Sequence, residues 1–438
     1  MSSLSLKNNN KFRRLVAATA GNELSQAMTV VTIPLLVLGM GGSATTAGII
    51  VFSSTAAAVI SQIFAGALTD RFTAGMTFRI SLLVQLLAWG FLGAAVYFDA
   101  SSIVIVLCVV IVAGAFSSLG APSEHALVKS FVSNEQLGSA AAVSQGREAA
   151  AGLLGGPLGG ALMSFSAAWA IWLQSILHLF ALVISPSQRR EDTEQPREQG
   201  FLGDVVEGFT VVISHRGLRI ITIVAAIINL PISALPLALI SYYEESGIND
   251  GLIGIFASSM GVGAFLGSLV AGWLTSRIRV GILGFISLGG LGALCALLVL
   301  IHPWFGWTCV VSALAGFSLP AFNSAIGAYT IAVTPESHIG RVVAATGVPG
   351  MILMPLGPLM AGLLFDNTGI NSALGVIASL SLFAVVVALM SRDFRELPML
   401  SQLTEQEITG YSKSDEVGCG LGFCCVDAEV SGDVGDAA

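Results

Sequence analysis

Residues 65–72 read AGALTDRF, and residues 271–278 read AGWLTSRI. Each octet ends one long apolar run and is followed by another, so charge is concentrated between runs in a chain that is only 11% charged. The 438 residues are 54% hydrophobic, with a mean hydropathy of +0.84, which is the composition of a membrane protein. A spanning helix needs roughly 20 mostly apolar residues to cross about 30 Å of hydrocarbon. Twelve runs of that kind fit, near 15–40, 45–68, 76–98, 102–123, 139–162, 167–185, 216–240, 251–275, 280–301, 304–331, 342–365 and 370–391. The runs are long and do not alternate in polarity, so they predict helices rather than a barrel, since lipid forces every backbone group to be satisfied internally. The expected fold is an all-α integral membrane protein of twelve transmembrane helices in two six-helix, pseudo-symmetric bundles.

Basic residues set the direction, because Lys and Arg stay on the cytoplasmic side. With the N-terminus inside, all of the 19 lysines and arginines except Arg147 fall in cytoplasmic segments or close to them, while the outer loops hold the acids Asp99, Glu244, Glu245, Asp250 and Asp366. A missed span would scramble this separation. The N-terminal stretch MSSLSLKNNNKFRR is polar and basic, and the apolar run after it outlasts the 7–15 residues typical of a signal-peptide core, so it reads as an uncleaved first helix. A multi-pass protein of the inner or plasma membrane with both termini cytoplasmic is expected.

The stretch SPSQRREDTEQPREQGFLGD mixes both signs of charge, the pattern of a solvated linker. It separates an N-terminal bundle (1–186) from a C-terminal one (215–393), the linker being 187–214. The halves repeat beyond the opening octets. GGPLGGALM (155–163) has its counterpart in LGPLMAGLL (356–364), and GAPSEHALV (120–128) echoes LPAFNSAIG (319–327). Parallel repeats around a midplane cavity are the architecture of a secondary transporter. Residues 394–438 form an acidic segment expected to be a disordered cytoplasmic tail. Its Cys419, Cys424 and Cys425 are weak candidates for a soft metal or for lipidation.

With these motifs the chain resembles the major facilitator superfamily over residues 10 to about 393. The family carries Gly-x-Leu-x-Asp-Arg, then Gly and further basic residues, between its second and third helices. Gly66, Leu68, Asp70 and Arg71 match, whereas Thr73 and Ala74 replace the following Gly-Arg pair and the next basic residue is Arg79. In the second copy Ser276 stands in place of the acid. The resemblance implies a cytoplasmic gate of Gly66, Asp70, Arg71 and Arg79 that locks the halves together when the cavity opens outward. FLGDVVEGFTVVISHRGLRII (201–221), the segment 133–160 and TPESHIGRVVA (334–344) are similar to the macrolide-efflux and enterobactin-exporter branch.

Glu23 is the most informative acid. It lies roughly 13 Å along the helix past Arg14, close to the midplane, and ionisable groups at that depth usually face a cavity or a partner. Asn22, Ser25 and Gln26 give the same turn a polar face. Glu23, Asn22 and Gln26 are therefore expected to couple protons or bind substrate, or, on the bland reading, to glue helix 1 to its neighbours. In helix 5, Arg147 and Glu148 lie about 100° apart on the helix and cannot simply pair with each other, so Arg147 is expected to reach a carboxylate such as Glu23 and, with Glu148, to help couple protons or bind substrate, or else to form a structural salt bridge near the cytoplasmic end. The run around Gly152, Gly156, Pro157, Gly159 and Gly160 resembles the antiporter signature Gly-Pro-x-x-Gly-Gly with the proline one place out of register. Small residues there, and at Gly357 and Pro358, also suit close helix packing. The glycine runs 259–267 and 288–294 sit inside apolar helices with no strand before them, and no phosphate-cradling loop is present. Trp169, Trp172, Phe201, Phe256 and Phe322 suit a cavity or a belt, and Tyr242 and Tyr243 suit the interfacial belt.

These residues predict a non-enzymatic exporter of a small amphipathic compound, drug-like or siderophore-like, working by alternating access in exchange for protons. The expected partners are that substrate, protons and the bilayer, with no cofactor and no nucleic acid. The rivals are an uptake carrier or lipid mover of the same fold, and a non-transporting sensor using the cysteine tail.

Overall fold

The computed structural model describes residues 6, 9–71, 73–133, 136–186, 201–334 and 338–399, with side chains outside 63–71 and 201–207. Among these residues the secondary structure is helical throughout. In chain order the helices are α1 (Asn10–Gly39), α2 (Ala44–Arg71), α3 (Ala74–Tyr97), α4 (Ile103–Ser117), α5 (Gly120–Phe131), α6 (Leu137–Phe165), α7 (Ala167–Ile184) and α8 (Phe201–Ser214). They continue as α9 (Arg216–Glu245), α10 (Asp250–Arg277), α11 (Val280–Ile301), α12 (Phe305–Ala332), α13 (Ile339–Leu353), α14 (Leu356–Met390) and α15 (Arg392–Arg395). The starts follow local capping chemistry. Asn9, Thr73, Ser102 and Asn249 each accept a first-turn backbone N–H through their side chains, satisfying a donor that the helix itself cannot.

Nine segments among the described residues are long and apolar enough to cross a membrane. Their outer faces carry large apolar side chains: Leu87, Phe91, Val183, Leu269, Trp273 and Ile286 are all more than half exposed. In water such a surface would aggregate, whereas against lipid tails it is at home. Two long helices, α1 and α6, fall outside the nine, and they are the ones that carry Glu23 and Arg147.

Several predicted spans differ from the observed helices. The run expected to end at 123 breaks at residues 118–119 and resumes as α5 to Phe131, so Glu124 lies within a helix rather than in a loop. The run 342–365 is divided between α13 and α14. Within α14 the helix breaks at Gly369, at the expected gap between the runs 342–365 and 370–391; its φ of 78° and ψ of 174° is a backbone region open essentially to glycine alone. Residues 201–214, assigned to the linker, form α8, while 187–200 and 400–438 lie outside the described residues.

Helices from the two halves of the sequence meet closely near one end of the molecule, the end that bears the acidic loops. On α6, Gly155 and Gly159 pack against Ala27, Met28 and Thr32 of α1, while Gly156 and Gly160 lie against Gly254, Ser258 and the Asp250 carbonyl of α10. A side chain at Gly155, Gly156 or Gly160 would collide with backbone, and one at Gly159 would press tightly on Thr32 and the Met28 carbonyl, so these glycines set both helix separations. Nearby, Gly48 of α2 approaches the Pro358 carbonyl of α14, and Gly362 approaches Ala44.

The same contact carries a polar latch. Asp366 of α14 accepts hydrogen bonds from the backbone N–H of Ala44 (3.2 Å) and Thr45 (2.7 Å), and the Thr45 hydroxyl donates to the Gly362 carbonyl at 3.2 Å. A carboxylate from the second half thus caps the positive end of a helix in the first half. Asp366→Ala is expected to lose about 0.5–2 kcal/mol of that contact and to raise the population with α2 and α14 apart at this end. Spin-label distances between residues 49 and 363, both exposed and outside the latch, would read the shift, and an unchanged distance distribution would remove the latch.

Candidate functional site

α1, α5 and α6 converge on one guanidinium. Arg147 of α6 donates through Nε to Glu23 Oε2 (2.8 Å) and through Nη2 to Glu23 Oε1 (2.6 Å), a two-pronged pair across 124 residues of sequence. Its Nη1 donates to Glu124 Oε1 (2.8 Å), its Nη2 also reaches Glu124 Oε2 (3.2 Å), and Nη1 further bonds the Thr19 hydroxyl. Only 8% of the Arg147 side chain is exposed, against 23% for Glu23 and 14% for Glu124. Guanidinium is suited to this arrangement because its planar fork meets a carboxylate with two parallel bonds.

The charge does not close. Two carboxylates share one guanidinium, so the ionised cluster carries one negative charge in surroundings where an uncompensated charge is costly. One added proton would neutralise it.

The sequence-based pairing of Arg147 with Glu23 is the geometry observed. Glu124 was missed, because ending the helix at 123 left it in a loop. An acid four residues past Gly120 in a stretch that remains helical was the available signal. Glu148 is exposed and bonds to none of the three. Asn22 is buried, and its Oδ1 has no hydrogen-bond partner among the described residues.

Beside the cluster lies a cavity of about 500 Å³. Gln26, nearly one turn beyond Glu23 on α1, lines it together with Thr29, Gln85 and Trp89 from the first half of the chain and Asn229, Ser233, Met260 and Met354 from the second. The remaining wall is mainly aliphatic, including Val30, Ile33, Val51, Ile232 and Leu237, with Pro34, Pro236 and Pro358. Among the described residues, no acid or base lines it. Such a surface holds an apolar body of drug size while a few neutral amides and hydroxyls meet scattered polar groups. Trp89 is its aromatic wall, which sequence inspection did not single out.

The other predicted residues distribute as follows. Arg79 of α3 donates to the Ser185 carbonyl at 2.9 Å. The side chains of Gly66, Asp70 and Arg71 lie outside those described, as do Cys419, Cys424 and Cys425 entirely. Gly152 offers its carbonyl to the Ser258 hydroxyl (3.4 Å), and Gly357 packs against Leu230, Ser233 and Ala234 of α9. Pro157 lies inside α6. The belt expected of the tyrosines is corrected for Tyr243, which is buried. It donates from its hydroxyl to the His302 carbonyl at 3.0 Å and meets Phe256 and Phe305 edge to face. Burial of one ring among aromatics from α10 and α12 outweighs the interfacial preference of tyrosine.

Comparison with known proteins fits this picture. The family model of the Major Facilitator Superfamily matches residues 15–242 and 221–409. Macrolide efflux protein A of Streptococcus pyogenes is 25% identical over 288 residues, covering 64% of this chain and 70% of that protein. The multidrug efflux pump Tap of Mycobacterium tuberculosis (strain ATCC 25618 / H37Rv) is 26% identical over 420 residues, covering 89% and 94%. Among solved structures, a bacterial homologue of the iron transporter ferroportin in its inward-facing state superposes with a TM-score of 0.68 over 90% of this chain and 100% of that one, at 13% identity. A bacterial homologue of the lysosomal transporter Spinster, also inward-facing, gives 0.63 over 89% and 96%, at 14% identity. At such identities these structures speak for the fold alone.

Proposed function

This chain belongs to the Major Facilitator Superfamily, and we propose that it is a twelve-span, two-bundle exporter of a small amphipathic compound, driven by exchange for protons. The observation that carries this reading is the pair of carboxylates on the single guanidinium of Arg147, next to an uncharged, mostly apolar cavity. The efflux names of the relatives support the direction.

With both termini in the cytoplasm, the acidic end bearing Asp366 faces outward. The contacts of α2 with α14 and of α6 with α10 near that end then close the cavity to the outside. In this state the amphipathic substrate enters from the cytoplasmic side. Release of the proton from the Glu23–Arg147–Glu124 cluster accompanies loading, and after the cavity opens outward an external proton resets the cluster. The cavity side chains hold the substrate through apolar area and neutral hydrogen bonds, so a broad range of compounds is accommodated.

The test is accumulation of dyes, macrolides and catechol siderophores in inverted vesicles with an acidic lumen. Gradient-driven accumulation of at least one compound, lost when the gradient is collapsed, is expected. Accumulation indifferent to the gradient would sink proton exchange. The gate assigned by resemblance to Asp70 and Arg71 makes its own demand. Asp70→Asn should lower transport severalfold at equal surface expression, and wild-type transport by this variant would dismiss the gate.

A further inference from the structure

A second buried polar group lies away from Arg147, inside the first half of the chain. His178 of α7 is fully buried, as are Gln174 and Ser25, and Gln85 of α3 is nearly so. The ring Nδ1 is 2.7 Å from the Gln174 backbone carbonyl and 3.4 Å from the Ser25 hydroxyl, and Nε2 is 3.2 Å from Gln85 Oε1. Gln85 also lines the cavity.

The acceptors around this ring match a ring that carries both protons: with a proton on Nε2 alone, Nδ1 can take the Ser25 hydroxyl at 3.4 Å but faces the Gln174 carbonyl at 2.7 Å. The Ser81 hydroxyl donates to the Phe116 carbonyl at 2.7 Å, so its oxygen is left to accept, and it takes Nε2–H of Gln85 at 3.1 Å. Turning the Gln85 amide over would set its oxygen against two acceptors, the Ser81 hydroxyl and the Ser81 carbonyl. Gln85 therefore offers an acceptor to the ring, and the Gln174 carbonyl is another. A neutral imidazole has one N–H and can match only one of them, whereas a ring carrying both protons matches both.

We propose that His178 is a second proton-binding site governed by Gln85, so that a substrate hydrogen-bond donor at Gln85 and a proton on His178 exclude one another. The inference rests on the transport reading above and adds where substrate and proton meet. With the proton on Nε2, the Gln85 carbonyl is held by the ring. When the proton leaves through the cavity, that carbonyl loses its donor and turns to a donor on the substrate. Burial opposes a charged ring while hydrogen-bond matching favours it, so a small change at Gln85 decides between the two states. The helices packed against α7 are α1, α3 and α6. Their ionisable groups are Lys11, Arg13, Arg14 and Glu23; Arg79 and Tyr97; and Arg147 and Glu148. None is hydrogen-bonded to the ring, and Glu23 is committed to Arg147, so no carboxylate holds the His178 proton in place.

The test is a pH titration of ring nitrogen-15 signals in the full chain, labelled at its five histidines and carrying Glu23→Gln to silence the first site. His178→Gln identifies the signal. The expected result is a ring with two N–H groups at the acid end of the titration that loses one as the pH rises. Gln85→Leu should lower the proton affinity by about tenfold or more, one pH unit of midpoint. Gln85→Leu keeps the histidine, so the titration remains readable should His178→Gln fail to fold. A ring with a single N–H across the whole range, or the same midpoint in Gln85→Leu, overturns the proposal. Loss of gradient-driven transport in Glu23→Gln with this titration intact concerns the first site alone, whereas an absent titration in a wild-type protein that transports normally defeats this inference and not the exporter reading.

Discussion

Glu23→Gln is expected to abolish gradient-driven accumulation in acid-loaded inverted vesicles, a loss of at least about tenfold, or about 1.4 kcal/mol of coupling. The reason is charge counting. With glutamine at 23, Arg147 keeps Glu124 at 2.8 Å, the cluster is neutral, and no proton is required or released. The amide still accepts one hydrogen bond from the guanidinium, so folding and surface expression should be close to wild type. Glu124→Gln should have the same consequence, because it leaves Glu23 and Arg147 as a neutral pair. Comparable losses in both variants would identify the proton as shared by the cluster. Normal accumulation in Glu23→Gln would remove that acid from the mechanism, and accumulation lost only in Glu124→Gln would transfer the role to the acid on α5.

Arg147→Ala is expected to be worse than either, and in a different way. Truncation strands two carboxylates that are 23% and 14% exposed, and breaking a buried ion pair from one side costs about 3–5 kcal/mol. Native proteins hold only about 5–15 kcal/mol in total. Reduced yield and a lower unfolding temperature in detergent should follow. Combining Arg147→Ala with Glu124→Gln should recover part of the loss, since one of the stranded charges is gone. An unfolding temperature equal to wild type in the single variant would mean that the cluster is solvated and carries little of the structure.

The two predictions share a lesson about what sequence can expose. Glu23 stood out because a carboxylate nine residues into an apolar run has no cheap explanation. Arg147 stood out for the same reason, and their opposite charges suggested the partnership. Glu124 did not, since its place depended on whether the helix ended at 123 or ran on after the break at 118–119. Helix ends are set by a few capping bonds and by neighbours distant in sequence, which leave faint marks locally. The acidic end was legible as a set of acids in loops expected on the outer side, yet nothing in the sequence tied Asp366 to the N-terminus of α2, 321 residues away in the chain.

The neutral polar groups were the least visible. Gln85, Gln174, His178 and Ser81 are scattered singly in α3 and α7, where each reads as an ordinary tolerated polar residue. Their meaning lies in the direction of their donors and acceptors, which composition does not encode.

By itself, then, the sequence determined that this is a multi-pass helical membrane protein. Long apolar runs admit no other satisfied backbone in lipid. It also determined that helices 1 and 5 of the expected order carry the costly charges. Tertiary structure alone decided that two acids share one arginine, that an uncharged cavity lies beside them, that an aspartate caps a helix of the other half, and that His178 faces two acceptors. Those properties depend on ångström-scale positions of side chains from segments far apart in the chain, whereas spans and topology depend only on the hydrophobicity and charge of each segment in turn.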